Sequence, residues 1–204
     1  MRKVATHDEL REIMGTPLPR VAGKARPSLH DYDRQWLAAS RFCLVATAGS
    51  DGTCDVSPKG DPAGFALVLD DTTIAIPERS GNRRADGFHN IIDNPHVGLI
   101  FLLPGRGDSL RINGTAQLVL DADFFDRMQV RGHRPVLALV VTVEEVFYHC
   151  SKAFLRSELW DPRTWTPEAA PSRPAIAKEL ERPEDDLAEL ERYYGADYQQ
   201  TIYH

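Results

Sequence analysis

Cysteine is scarce in this chain of 204 residues: Cys43, Cys54 and Cys150 are widely spaced and odd in number. They make neither a disulfide framework nor a zinc knuckle, and they suit a reducing cytoplasm. The seven histidines show no HExxH or other ligand spacing, so no metal site is expected. Long apolar runs are missing too. No stretch approaches the roughly 20 residues that cross a bilayer, and no apolar segment follows Met1-Arg2-Lys3. Neither a membrane span nor a signal peptide is expected. Positive charge is not in excess; a net charge of −6 argues against nucleic acid as a general partner. No Ser-His-Asp, Cys-His or paired-carboxylate arrangement stands out, so no separate acid–base machinery and no catalytic residue is assigned.

What is present is a strongly alternating chain, 42% hydrophobic, enough for one well-packed domain with extensions. Residues 1–27 read as an N-terminal arm, with a short helix from His7 to Met14 ended by Gly15 and Pro17. Residues 28–160 form the body, and residues 161–204 a Pro-rich acidic C-terminal extension with one helix, from about Glu184 to Tyr194. Ser28 is a plausible N-cap for a helix through about Ala39. Strands are predicted over Phe42–Ala48, Thr53–Ser57, Phe65–Leu69, Thr73–Ile76, Val97–Leu103, Leu110–Leu120 and Val136–Phe147, joined mostly by hairpin turns. A helix from about Arg83 to Ile92 stops at Asn94-Pro95, because proline disfavours the helical region in the residue before it. Asp121 can cap a short helix through about Met128, and Ser151 another through Leu159.

Six or seven antiparallel strands with inserted helices make a mainly β protein, a small closed or nearly closed barrel with peripheral helices. The strands bury one face in the barrel, so helices or a second subunit must cover the other.

Three polar motifs adjoin these strands: Ser57-Pro58-Lys59-Gly60-Asp61, Ile76-Pro77-Glu78-Arg79-Ser80-Gly81-Asn82-Arg83-Arg84, and Asp108-Ser109-Leu110-Arg111-Ile112-Asn113-Gly114. The middle one sets Arg79, Arg83, Arg84 and Asn82 around a Ser-Gly turn that leads into a helix. Backbone N–H groups at a helix start, with guanidinium forks nearby, are what a phosphate dianion requires. A solvated surface cluster, with Arg79 paired to Glu78 or Asp86, is the plainer reading. Lys59 reads equally as a turn lysine beside Gly60. Ser109, Arg111 and Asn113 share one strand face by alternation, which makes a polar lining. Lys152 and Arg156, four apart, share a helical face and fit either solvent or a cationic contact to a ligand. Trp160 and Trp165 read as packing residues.

These motifs, with Asn94-Pro95-His96-Val97-Gly98-Leu99-Ile100-Phe101, resemble the pyridoxamine 5′-phosphate oxidase-like superfamily of FMN-binding split barrels. More narrowly, Ile76–Asp86 and Pro104–Gly114 are similar to a bacterial subgroup known mainly from sequence and labelled FMN-dependent. The resemblance spans roughly Asp31 to Trp160. It implies a six- to seven-stranded antiparallel split barrel and a homodimer with FMN at the interface. The family's small polar residue and the phosphate-binding pair that follows it fall on Asn82, Arg83 and Arg84, though about three extra residues separate the pair from the end of the helix here. The side chain at the flavin ring edge falls on Ser109, and the ring-lining strand falls near Ser57, Pro58 and Lys59. The implied activity is an FMN-dependent oxidoreductase acting with a small-molecule substrate or electron donor. Lys59 or Lys152 would stabilise the reduced flavin. Oxidation of pyridoxamine phosphate itself is expected less, because the tail from Tyr193 to His204 has no arginine where the true oxidases are Arg-rich. The same barrel also serves non-catalytic flavin or haem binding and deazaflavin-dependent reduction.

Overall fold

Alternation and turn chemistry produce the hairpins first. In the computed structural model, which describes residues 1–196, 198 and 201–203, seven strands form one sheet. They are β1 Phe42–Ala48, β2 Cys54–Gly60, β3 Leu67–Val68, β4 Thr73–Glu78, β5 His96–Leu102, β6 Ser109–Val119 and β7 Leu137–His149. The order across the sheet is β2-β1-β5-β6-β7-β4-β3, and all recorded pairings are antiparallel. The sheet does not close; it is the expected seven-stranded antiparallel split barrel and not the fully closed form of it. Asp197, Gln199, Gln200 and His204, part of the arginine-free tail, lie outside the described residues.

The helices are α1 His7–Met14, α2 Pro19–Ala22, α3 Asp31–Ala39, α4 Asp86–Asp93, α5 Lys152–Ser157, α6 Arg173–Leu180 and α7 Leu187–Tyr193. Several boundaries differ from those predicted. The cap of α3 is His30, whose ring accepts from the Tyr32 N–H while the Asp33 carboxylate accepts from the His30 N–H at 2.7 Å. Ser28 therefore lies outside the helix. β2 runs on through Lys59 and Gly60, so Lys59 is a strand residue rather than a turn residue. Residues 125–128 form a 3-10 turn preceded by Phe124, not a helix capped by Asp121. Helix α6 was not expected from the sequence; Ser172 caps it and Pro174 is tolerated in its first turn.

Residues 37, 45, 74, 76, 99, 101, 110, 112, 141 and 146 build the main core, covered by α3 and α4. Strand β4 is buried on both faces, because Ala75 points the other way into a smaller cluster with Phe125, Met128 and Ala138. Pro77 is accommodated because β3 pairs only with Ile74 and Ala75, leaving β4 an edge at the proline.

Between Asn113 and Gly114 the β6–β7 register shifts, with Glu144 as the extra residue. A Cβ on Gly114 would lie 1.9 Å from the Thr142 carbonyl oxygen, a backbone atom that cannot step aside. Gly114→Ala is therefore expected to destabilise the protein by about 1–3 kcal/mol, the range for overpacking. Urea unfolding would measure it; an unchanged midpoint would mean that the bulge can relax.

Candidate functional site

The two ends of the sheet meet through side chains instead of a backbone ladder. Lys59 on β2 pairs with Glu78 on β4, and Arg79 donates from Nε to Asp61 at 2.7 Å. These strands lie near opposite ends of the sheet order, so the two ion pairs bridge the split. They also tie the first polar motif to the second.

A cavity of about 280 Å³ opens beside this seam. Asp55, Ser57 and Lys59 line it from alternate positions of β2, together with Val45 and Thr47 from β1. Asn82, Arg84, Ala85, Asp86, Gly87 and Phe88 close it from the other side. The Lys59 ammonium sits 4.7 Å from the centre of the Phe88 ring, which holds its charge at the cavity wall.

Helix α4 is latched down by Asn90, whose amide donates to Thr47 Oγ1 at 3.1 Å and to Asp55 Oδ2 at 2.8 Å. Gly87 permits the close approach, since a Cβ there would stand 3.3 Å from Thr47 Oγ1. The helix begins three residues later than expected, and the reason is in the backbone. Arg83 and Ala85 both take left-handed conformations, with φ of 62° and 58°. Strained residues of this kind persist only where their surroundings over-determine them. Ala85 occupies the N-cap position with a methyl group, so no side chain caps the helix; its carbonyl accepts from the Phe88 N–H at 2.8 Å, and Asp86 and Gly87 of the first turn line the cavity without a side-chain cap. Arg84, between the two strained residues, pairs with Asp86 at 2.7 Å, while its N–H donates to Asn82 Oδ1 at 3.1 Å. This carboxylate raises the Arg84 pKa, so the guanidinium stays fully charged.

Of the ten candidate residues, the structure brings Ser57, Lys59, Asn82 and Arg84 to this cavity. Arg83 lines an adjoining cavity of about 540 Å³ with Ser80, Gly81, Val136 and Leu137. Arg79 also borders that space, but its guanidinium is engaged elsewhere. Besides Asp61 it donates to Met128 O at 2.6 Å and His133 O at 3.2 Å. Its partner is thus Asp61, not Glu78 or Asp86.

Ser109, Arg111 and Asn113 share a face, but it is the opposite face of the sheet, since Leu110 and Ile112 between them enter the core. Lys152 and Arg156 stand exposed on α5 and make no ion pair among the described residues. One chain therefore does not gather all ten. Trp160 packs as expected, its ring stacked on Phe154 and its indole N–H donating to Arg106 O at 2.7 Å, whereas Trp165 is 55% exposed and held only through its indole N–H, which donates to Leu159 O at 2.9 Å.

The sequence reading did not single out Asp55, Thr47, Phe88 or Asn90. Asp55 carried a usable signal, its alternation with Ser57 and Lys59, which the short predicted strand obscured. Among the described residues no group of His, Cys, Asp and Glu is placed to hold a metal ion, and no helix is long and apolar enough to cross a membrane.

No curated protein matches the chain. Among solved structures it is similar to HupZ of Group A Streptococcus, at 21% identity over 60% of this chain and 95% of that one, with a TM-score of 0.49. A Clostridium acetobutylicum protein related to general stress protein 26 is similar at 17% identity, over 59% and 87% of the two chains, with a TM-score of 0.45. HutZ, described as a heme storage protein of Vibrio cholerae, is similar at 14% identity, over 60% and 94%, with a TM-score of 0.40. The sequence profile of pyridoxamine 5′-phosphate oxidase matches residues 29–150, more than half of the chain and all seven strands of the sheet, and the protein belongs to that family.

Proposed function

We propose that the protein is an FMN-dependent oxidoreductase that works as a homodimer on a small-molecule substrate or electron donor. The observation that carries this reading is the cavity at the seam. It combines an uncapped helix start, the Asn82 side chain and the always-charged Arg84 at one end with Ser57 and Lys59 along one wall. A phosphate monoester suits the first end, because its oxygens match N–H groups and a guanidinium fork. When bound, the flavin supplies the hydride and electron chemistry. Residues of this chain would hold and tune it. Arg84 and the first turn of α4 grip the phosphate, Ser57 offers a hydroxyl along the wall, and Lys59 presents positive charge that favours an anionic reduced ring.

The dimer reading is supported by Ser109, which lies on the face of the sheet opposite the cavity and so stands away from a flavin held there by the same chain. That outer face also leaves Val56 61% exposed on β2, opposite Ala46, and Phe42 exposed at the far end of β1. The free cysteines suit the cytoplasm as the compartment.

Arg84→Ala is expected to weaken FMN by about 1.5–3 kcal/mol, the range for a hydrogen bond to a charged group. Riboflavin, lacking the phosphate, should bind equally to both forms. Equal losses for the two ligands would remove the phosphate assignment. Anaerobic mixing of the FMN-loaded protein with NADPH, NADH and organic donors should bleach the flavin band faster than it bleaches free FMN. Tight binding without such bleaching would favour a non-catalytic flavin carrier. A Soret band in the purified protein, or a preference for a deazaflavin, would replace FMN itself.

A further inference from the structure

The three arginines of the middle motif part company at the turn before α4. Arg79 is taken by Asp61 and Arg84 by Asp86. Arg83 is exposed and makes no ion pair or side-chain hydrogen bond among the described residues. Its backbone is left-handed, at φ 62°, and the two neighbours go to different places: Arg84 lines the seam cavity, Arg83 the adjoining one of about 540 Å³. A residue with a β-carbon holds that conformation at a cost that its surroundings must sustain.

The adjoining cavity differs in character from the first. Val136 and Leu137, at the beginning of β7, and Phe88 of α4 give it an apolar wall, while Ser80 and Asn82 add polar groups. Val136 is 59% exposed, an apolar side chain left open to solvent instead of packed into the core. Two other charged residues border the space, and both are spent. The Arg79 guanidinium is held by Asp61, and the Glu78 carboxylate by Lys59. Arg83 therefore brings the unpaired charge. Apolar walls with a few placed polar groups, in a cavity of this size, are the usual make-up of a small-molecule site. A bare anion would leave the wall uncovered, and a hydrocarbon would leave the guanidinium without an acceptor. A ligand with an apolar body and an anionic head meets both.

Glu78, Asn82, Ala85 and Phe88 border both cavities, so a molecule seated against Phe88 and Val136 is a neighbour of whatever fills the seam. We propose that the second cavity binds an amphipathic organic acid, its carboxylate on Arg83 and its apolar body along Val136, Leu137 and Phe88. That this acid is the substrate offered to the flavin rests on the FMN reading above; the binding site itself does not. Arg83 thereby goes to the acid, and the flavin phosphate is left to Arg84 and the first turn of α4.

Calorimetric titration of the full chain with 4-phenylbutyrate, with and without FMN, tests it. Binding should saturate in both forms. 4-Phenylbutanol keeps the body without the charge and should bind about tenfold more weakly, the loss of one hydrogen bond to a charged group. Arg83→Asn should weaken the acid by the same factor and leave the alcohol unchanged; asparagine tolerates left-handed backbone, and a thermal melt checks the fold. Val136→Ser should weaken acid and alcohol alike, by about threefold, through lost apolar contact. In the FMN-loaded protein the acid should also shift the flavin absorption band; saturable binding without that shift overturns its role as substrate. A chain that binds the acid but no FMN keeps the site and removes only the flavin reading. The site is overturned by the absence of saturable binding, by an acid affinity indifferent to Arg83→Asn, or by inorganic phosphate binding as tightly as phenylbutyrate. Displacement of FMN by phenylbutyrate, or loss of FMN affinity in Arg83→Asn as large as in Arg84→Ala, would make this space part of the flavin site and overturn it too.

Discussion

Arg79→Ala is expected to destabilise the apo-protein by about 3–5 kcal/mol, the cost of breaking a buried ion pair by removing one partner. The Arg79 and Asp61 side chains are only 13% and 2% exposed, so water cannot replace the lost contact. After the substitution the Asp61 carboxylate keeps the Tyr203 hydroxyl, which donates at 2.7 Å, but loses its cation. The carbonyls of Met128 and His133 lose donors at the same time. Tyr203 itself would loosen, since its ring lies 5.7 Å from the Arg79 guanidinium. Denaturant unfolding without flavin measures the effect. If Arg79 acts mainly on a ligand, apo stability will barely change and FMN affinity alone will fall. Replacing both partners, as Asp61→Leu with Arg79→Met, should recover much of the loss, because no charge is then left buried alone.

The second large effect is expected at Asp33, which is fully buried. Its carboxylate accepts from the His30 N–H that starts α3 and from Arg26, and it meets the Tyr148 hydroxyl. Asp33→Ala should cost about 3 kcal/mol, the low end of the range for a broken buried pair, because Arg26 is 36% exposed and can recover water. The arm should loosen with it, since Arg26 carries both the ion pair and the backbone bridge to Val146. A separate readout comes from Tyr148, whose pKa is pushed up to about 12, first by burial and then by the Asp33 charge. Asp33→Asn removes that charge and should lower the Tyr148 pKa part of the way back, read by the ultraviolet absorbance of phenolate. The sign for stability follows. The folded Tyr148 holds its proton to higher pH than the unfolded one, so its contribution is complete below about pH 10 and declines as pH rises toward 12. An unmoved Tyr148 titration in Asp33→Asn would show that burial alone sets it.

Much of the sheet was legible because its signals are local. Period-two alternation marks β1, β5, β6 and β7, and Asn94-Pro95 ends α4 for reasons internal to the dipeptide. The three polar motifs and the family they belong to were legible in the same way, as short strings of residues. The start of α4 was not. Helix propensity places Arg83 and Arg84 in its first turn, but docking Gly87 against Thr47 requires two left-handed residues first, and that demand comes from β1 and β2. The length of β2 was hidden by Pro58, which an edge strand tolerates and a central strand would not.

By itself the sequence determined most of the residues that form strands, where the turns fall, and that a cluster of arginines precedes a helix. Only the tertiary structure decided which of those residues meet. The curl of the sheet brings β2 to β4, so Lys59 finds Glu78 and Asp61 takes Arg79 out of the arginine cluster. The same sheet puts Arg111 on the face away from Ser57 and beside Lys24 of the arm. The physical reason is range. Alternation and turn preferences act over a few residues, whereas pairing across a split or onto a sheet face is fixed by packing between segments far apart in the chain.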